Sequence, residues 1–347
     1  MITFEKYLRE STFLNPADDF KPKTLEVEIR KDPLVDHIAR IVKFRFRPLE
    51  RVDPTPLVRK SLELGCPFCP DRVDKIATKF PPEVAAEGRM KEGGAVVFPN
   101  AFPYERYNAV VVLTPKHHIE IGKFAEEDLL DGLWGSLSYL RRIVEIDGEV
   151  RYGSINWNYM PPSGAGLIHP HFQLVASSLP TQLHREMEVA SKEYRQREGE
   201  NFWRDLISAE KGEGDRYVGR VGPVHWLIPF APRGIMDVQS VFEDSDNLLG
   251  VSKEAFGDFA RGVSSVLRYF DSKNIWSFNL SIYGMLVSQD YFWVNCRIVP
   301  RMSFPPLETS EINYFERLHG EMLTTMPPEE VCGELRDFLR RAHEGIG

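Results

Sequence analysis

The sequence predicts an α+β fold, antiparallel sheet with helices packed on it, built twice within one chain. Three observations carry that expectation. Strand patterns follow one another as hairpins, helical patterns are few and long, and the order strand, helix, strand, strand occurs in the first half and again in the second. With hairpins dominating, the helices are expected on one side of the sheet.

Residues 1–60 are mixed and punctuated by proline, with one strand pattern, Ile38 to Phe46, in which apolar and basic residues partly alternate. Cys66 to Asp71 reads as a tight Pro-rich turn and Lys75 to Gly94 as loop. Strands are expected at Ala95 to Pro99 and at Asn108 to Thr114, the second closed by Pro115. Glu126 to Ile146 places Leu129, Leu130, Leu133, Leu137, Leu140 and Val144 at helical spacing. Its acidic first turn suits the positive end of a helix dipole. Gly153 to Met160 and Leu167 to Ser177 read as strands around the small-residue turn Pro161 to Gly166, and Thr181 to Glu210 as one long charged helical segment.

In the second half, Val224 to Phe230 reads as a strand, Lys253 to Phe270 as a helix, and Ile275 to Tyr283 and Phe292 to Val299 as strands. Ser154-Ile155-Asn156-Trp157-Asn158 aligns with Ser277-Phe278-Asn279-Leu280-Ser281, so an internal duplication accounts for the order, with residues 1–180 and 181–347 as the two repeats. The tail, Glu311 to Glu344, reads as an amphipathic helix pair broken at Pro327 and Pro328.

A length of 347 residues suits two domains or one built from two halves, and 42% apolar with 27% charged residues is ordinary globular composition. The charge sum of −8 argues against a protein that coats nucleic acid. No apolar run approaches the ~20 residues that span a bilayer. The opening MITFEKYLRE holds no signal-peptide core, so a cytoplasmic protein is expected. Four cysteines are too few for a disulfide scaffold in a chain of this size.

Two motifs carry chemistry. In an extended segment His169, His171 and Gln173 project to one face, and Pro170 holds its predecessor in the extended region. The preceding Ser163, Gly164, Ala165 and Gly166 allow backbone to approach an anion closely. Cys66-x2-Cys69 has the spacing by which two thiolates grip a tetrahedral zinc ion, with His117 or His118 and His169 or His171 as further ligands. The competing readings of that pair are a redox couple and two inert buried cysteines.

Together the C-x2-C pair, a Pro-x-His after a strand and His-Pro-His-x-Gln after a small-residue turn resemble the galactose-1-phosphate uridylyltransferase branch of the histidine-triad superfamily. Arg30-Lys-Asp-Pro33-Leu34, Arg47-Pro48 and His225-Trp226-Leu-Ile-Pro229-Phe230 resemble further family segments, so the likeness runs from about residue 27 to residue 340. The resemblance implies a duplicated histidine-triad fold. It implies Zn2+ on Cys66, Cys69, His117 and His169, with His171 as the nucleophile and Gln173 on the phosphoryl oxygens. Asn158, Gly164, Gly166 and Arg47 would meet substrate. The implied activity is ping-pong transfer of a nucleoside monophosphate through a nucleotidyl-histidine. A nucleotide sugar or nucleoside polyphosphate would donate to a sugar 1-phosphate, with uridylyl as the default group. ADP-sugar or dinucleoside polyphosphate phosphorolysis, hydrolysis, and non-catalytic nucleotide binding are the alternatives. Relatives form homodimers, which implies a second copy of the chain as partner.

This chain departs from the family pattern in the second repeat. Val294-Asn295-Cys296-Arg297-Ile298 stands where the family has His-x-His, and Tyr283 where it has an upstream histidine. A second metal with histidine ligands is therefore not expected. Arg297 is left facing phosphate or sugar, or forming an ion pair. Glu186 falls near a carboxylate of that second metal site, Arg45 is displaced by one position from the family's arginine, and His118 has no counterpart.

Overall fold

Tyr152–Tyr159 alternates strictly, burying Ile155, Trp157 and Tyr159 and leaving Ser154, Asn156 and Asn158 half-buried on the opposite face. A strand that must cover a core on one face and a polar groove on the other reads this way, and it lies at the centre of the molecule. A computed structural model describes residues 2–43 and 49–344, so Arg45 and Arg47 lie outside the described residues.

In chain order the elements are β1 (Lys6–Asn15), β2 (Lys21–Lys31), β3 (Ile38–Ile41), α1 (Thr55–Leu64), α2 (Pro70–Ile76), β4 (Met90–Glu92), β5 (Ala95–Pro99) and β6 (Tyr107–Val112). Then come α3 (Glu126–Ile146), β7 (Tyr152–Tyr159), β8 (His171–Ser177), α4 (Gln182–Glu198), α5 (Phe202–Glu213), β9 (Tyr217–Val221), β10 (Val224–Leu227) and β11 (Val238–Phe242). Last are α6 (Lys253–Ser272), β12 (Phe278–Met285), β13 (Asn295–Pro300), β14 (Ser303–Phe304), β15 (Thr309–Ser310), β16 (Met322–Thr324) and α7 (Pro328–Glu344).

Among the described residues ten strands form one sheet in the order β4-β5-β6-β8-β7-β12-β13-β11-β10-β9, every neighbouring pair antiparallel. Read outward from the centre, the two sides repeat the same connectivity: a hairpin, a long helix, then two more strands. The duplication is thus visible in the topology. Trp157 stands directly opposite Leu280 across β7 and β12, the same two residues that coincide when the repeats are aligned.

The helices do not keep to one side. Leu129, Leu133, Leu137 and Leu140 of α3 and Phe256, Phe259, Val263 and Leu267 of α6 join the core beneath β7 and β12. Met187 and Tyr194 of α4 and Phe202, Trp203, Leu206 and Ile207 of α5 cover the other face of the second repeat, with Leu227 and Val241. Val73 of α2 does the same for the first repeat, with Val110 and Val112. The charged sequence of α4 and α5 concealed that second apolar layer.

Glycine sets how closely the long helices approach. A Cβ on Gly262 of α6 would lie 2.1 Å from the Trp226 ring, and one on Gly132 of α3 would lie 2.3 Å from Leu113. Gly262→Ala gains up to ~1 kcal/mol in helix propensity, but overpacking of ~1–3 kcal/mol opposes it, so a net loss is expected. Chemical denaturation checks the sign; an unchanged or higher midpoint would mean that α6 can lift away from Trp226 freely.

Elsewhere the elements depart from expectation for local reasons. The strand at Ile38 stops at Ile41, where the ladder to β2 and β16 ends. The long segment from Thr181 divides at Gly199, in the left-handed region at φ 79°, and restarts at Asn201, whose side chain accepts from Trp203 N at 2.9 Å. Lys75 to Gly94 is not all loop, since it contains β4. The strand at Val224 ends at Leu227 rather than at Phe230. In the tail only Pro328–Glu344 is a regular helix; the part before it holds a short π-helical turn, Phe315–His319, and β16. The β1–β2 hairpin has no counterpart in the sequence reading. No helix among the described residues is long and apolar enough to cross a membrane.

Candidate functional site

The chemistry-bearing residues gather on the sheet face opposite α3, at the first repeat. Cys69 is the N-cap of α2, its carbonyl accepting from Arg72 N and Val73 N at 2.9 Å, and Pro70 occupies the first helical position, where no amide is needed. Val73 then seats this short helix on Val110 and Val112. The loop before it curls so that Phe68 N donates to Cys66 Sγ at 3.4 Å, which turns both sulfurs inward.

Two histidines complete the cluster. His117 lies in the loop after β6, and its Nδ1 is 3.3 Å from Cys69 Sγ. His169 Nδ1 is 3.7 Å from Cys66 Sγ and 3.8 Å from Cys69 Sγ. The four ligand atoms lie within 4.8 Å of one another, a spacing that suits one tetrahedral ion bound by two sulfurs and two nitrogens. The donor chemistry also fits. His169 Nε2 donates to Thr114 O at 2.8 Å, which leaves Nδ1 as the lone-pair nitrogen, as metal-bound imidazoles require. Burial pushes His169 down to about 4 and Cys69 up to about 11, the neighbouring Cys66 sulfur adding to the latter rise. The histidine is therefore neutral, while the thiol must give up its proton to a metal.

His171 stands apart from that cluster. It opens β8 opposite Val112, buried to 6% exposure, and its Nδ1 donates to the carbonyl of His169 at 2.7 Å. That bond assigns the lone pair to Nε2, which has no partner among the described residues. Burial holds the imidazole below its ordinary 6.5, the His169 carbonyl opposing in part, so it is neutral near pH 7. The Phe68 ring covers it edge to face at 5.2 Å. The one-face expectation for His169, His171 and Gln173 needs correction here. The strand begins at His171, not at Leu167, because Pro170 uses its carbonyl for Leu113 N at 3.1 Å and has no amide of its own to extend the ladder. His169 is thereby free to turn toward the cysteines.

Gln173 and Asn158 flank His171 on the same face. Among the described residues Gln173 makes no side-chain hydrogen bond, and Asn158 accepts at Oδ1 from Asn279 at 2.7 Å while its NH2 has no acceptor there. Gly164 closes the Pro161–Ser163 turn at φ 89°, a conformation that favours glycine, and nothing lies within 4 Å of a Cβ on Gly164 or Gly166. The site thus offers an imidazole nitrogen and two amide NH2 groups without partners among the described residues, beside an open small-residue turn.

Other residues singled out in the sequence lie elsewhere. Arg297 is held by Asp237 and, at 3.6 Å, by Asp32, so its guanidinium is committed to an ion pair. Glu186 is exposed on α4 and accepts from Gln182 at 2.9 Å. Tyr283 lies half-buried on the face of β12 that α4 and α5 cover, near the buried ring of His184, which no motif in the sequence marked. His118 turns into a separate pocket with Arg51, Asp271 and Trp276. Phe68, Thr114 and Asn279 were also missed; only the position of Phe68 between the two cysteines pointed to it.

No protein-family model matches the sequence. An uncharacterized protein of Archaeoglobus fulgidus is 31% identical over 312 residues, covering 90% of this chain and 92% of that protein. Among solved structures, an ADP-glucose phosphorylase from Arabidopsis thaliana with bound ADP-glucose aligns with a TM-score of 0.68 at 17% identity, covering 90% of this chain and 99% of the other. A GalT-like protein from the same plant aligns at 0.67 and 18%, covering 89% and 98%. A uridylyltransferase aligns at 0.66 and 18%, covering 90% and 99%. At these identities the alignments establish a shared fold.

Proposed function

From a chain that belongs to the same family as the uncharacterized Archaeoglobus protein and has the fold of the galactose-1-phosphate uridylyltransferase-like histidine-triad proteins, we infer a nucleotidyltransferase working by double displacement. The observation that carries the reading is the state of His171: neutral, tautomer set by the His169 carbonyl, Nε2 uncommitted. Nε2 attacks the α-phosphorus of a nucleotide sugar. A P–N bond forms, the P–O bond to the sugar phosphate breaks, and the leaving phosphate takes the electron pair. The imidazolium charge created is met by the Nδ1–H···O bond to His169. An oxygen of a second phosphate then attacks phosphorus and returns the pair to Nε2. Both phosphates are anionic already, so no proton need be moved, and the non-titrating Gln173 suits transfer better than hydrolysis. The NH2 groups of Asn158 and Gln173 supply donors to the phosphoryl oxygens.

Cys66, Cys69, His117 and His169 are the residues that would hold Zn2+, and the ion would serve as a structural lock. It would fix the 66–69 loop, which carries Phe68 over the nucleophile, and the His169 carbonyl that sets the tautomer.

The test is a labelled intermediate. With α-labelled UDP-glucose or ADP-glucose, acid-labile, base-stable label is expected on the protein. Galactose 1-phosphate or inorganic phosphate is then expected to discharge it at least ~100-fold faster than buffer. The arm that discharges identifies the acceptor, and the nucleotide that loads identifies the base. Discharge to water at an equal rate would replace transfer by hydrolysis, and failure of both nucleotides to load would remove the nucleotide-sugar reading.

A further inference from the structure

The second repeat carries Val294-Asn295-Cys296-Arg297-Ile298 where the first carries the His-Pro-His segment, yet its strand β12 pairs directly with the site-bearing strand β7 of the first. Asn279 stands opposite Asn158 in the ladder. Its Nδ2 donates to Asn158 Oδ1 at 2.7 Å and to the carbonyl of Ser163 at 3.0 Å. Its Oδ1 accepts from Arg301 Nη1 at 3.0 Å, and Arg301 Nε is paired with Glu311.

This chain of contacts has a direction. A guanidinium donates and never accepts, so the atom of Asn279 that meets Arg301 must be the oxygen. That turns the NH2 of Asn279 toward Asn158, which must answer with its own oxygen. Asn158 is left with its NH2 unpartnered among the described residues, on the face that carries His171. The Ser163 carbonyl, which only accepts, enforces the same orientation, so Arg301 and Ser163 together keep the two amides from flipping and offering the groove an oxygen, which would repel a phosphoryl group.

We propose that Asn279 and Arg301 are positioning residues for nucleotidyl transfer: the arginine, with the Ser163 carbonyl, fixes the polarity of Asn279, and Asn279 fixes the Asn158 amide with its N–H donors presented to the phosphoryl group at His171. The inference rests on the nucleotidyl reading above. It assigns the second repeat a defined part in the first repeat's chemistry, delivered through the β7–β12 ladder rather than through a second metal.

Single-turnover formation of the nucleotidyl adduct, with α-labelled UDP-glucose and ADP-glucose as probes, tests it. Asn279→Asp retains size but offers only oxygens to Asn158 and is expected to slow adduct formation about 10–100-fold with little change in the half-saturating nucleotide concentration. Asn279→Ala, which removes the repulsion, is expected to lose less. Arg301→Gln, which can accept as well as donate, is expected to fall between wild type and Asn279→Asp. The decisive readout is the cycle with Asn158→Ala: in that background Asn279→Asp is expected to cost less than about threefold, since the amide it acts through is gone. Equal costs in the two backgrounds, or an Asn279→Asp rate equal to wild type, would overturn the positioning role while leaving nucleotidyl transfer intact. If the unsubstituted protein forms no adduct, the functional reading falls and this inference with it.

Discussion

His171→Gly is expected to abolish covalent labelling, with a loss of at least about 10^4-fold, because the step has no other nucleophile to turn to. The remaining partners stay in place: Asn158 is held by Asn279, and the His169 ring by Thr114. The protein itself should survive. The ring makes one hydrogen bond and one edge contact with Phe68, so a melting temperature within several degrees of wild type is expected. Rapid-quench labelling and thermal melting measure the two sides. Label that persists on the glycine variant would move the nucleophile elsewhere and dissolve the mechanism.

Cys66→Ser is the second large effect. A cluster of two thiols and two imidazoles, three of them drawn from separate loops, is held together by whatever bridges it. Structural zinc contributes folding free energy directly, and losing one ligand of four is expected to cost on the order of 3–5 kcal/mol, which lowers melting by roughly 4–7 °C in a chain of this length. Bound zinc should fall from about one per chain to well below half by elemental analysis. Labelling should fall too, since Phe68 and the His169 carbonyl both depend on this loop. A variant that keeps its metal and its melting temperature would make the cluster a fortuitous gathering of side chains.

Legibility in the sequence tracked how local each cause is. Helix α3 and strands β5 to β8 could be read because burial of one face imposes a period that the residues themselves display. The β1–β2 hairpin could not. Lys6–Asn15 is exposed at nine of its ten positions on the strand's burial pattern, so no apolar alternation marks it. The Cys66–Cys69 pair stood out by its spacing, whereas the choice of His117 over His118 and of His169 over His171 came from the family resemblance. The role of Arg297 was not legible, because Asp32 and Asp237, which engage it, are distant in sequence and meet it only in the folded chain. The same holds for Asn279, whose partners Asn158 and Ser163 are more than a hundred residues away. Periodicity speaks of burial, whereas the orientation of an amide is decided by a tertiary neighbour.

The seam between β7 and β12 bears on what happens if the chain is cut. Tyr152–Tyr159 is paired along its whole length with Phe278–Met285. Severed between the repeats and expressed alone, the first half would expose eight residues of open strand edge, with Ile155, Trp157 and Tyr159 at the margin of its core. Such a piece has two fates, stacking edge to edge with its own kind or precipitating. Truncation is therefore expected to yield self-associated material rather than a small working module.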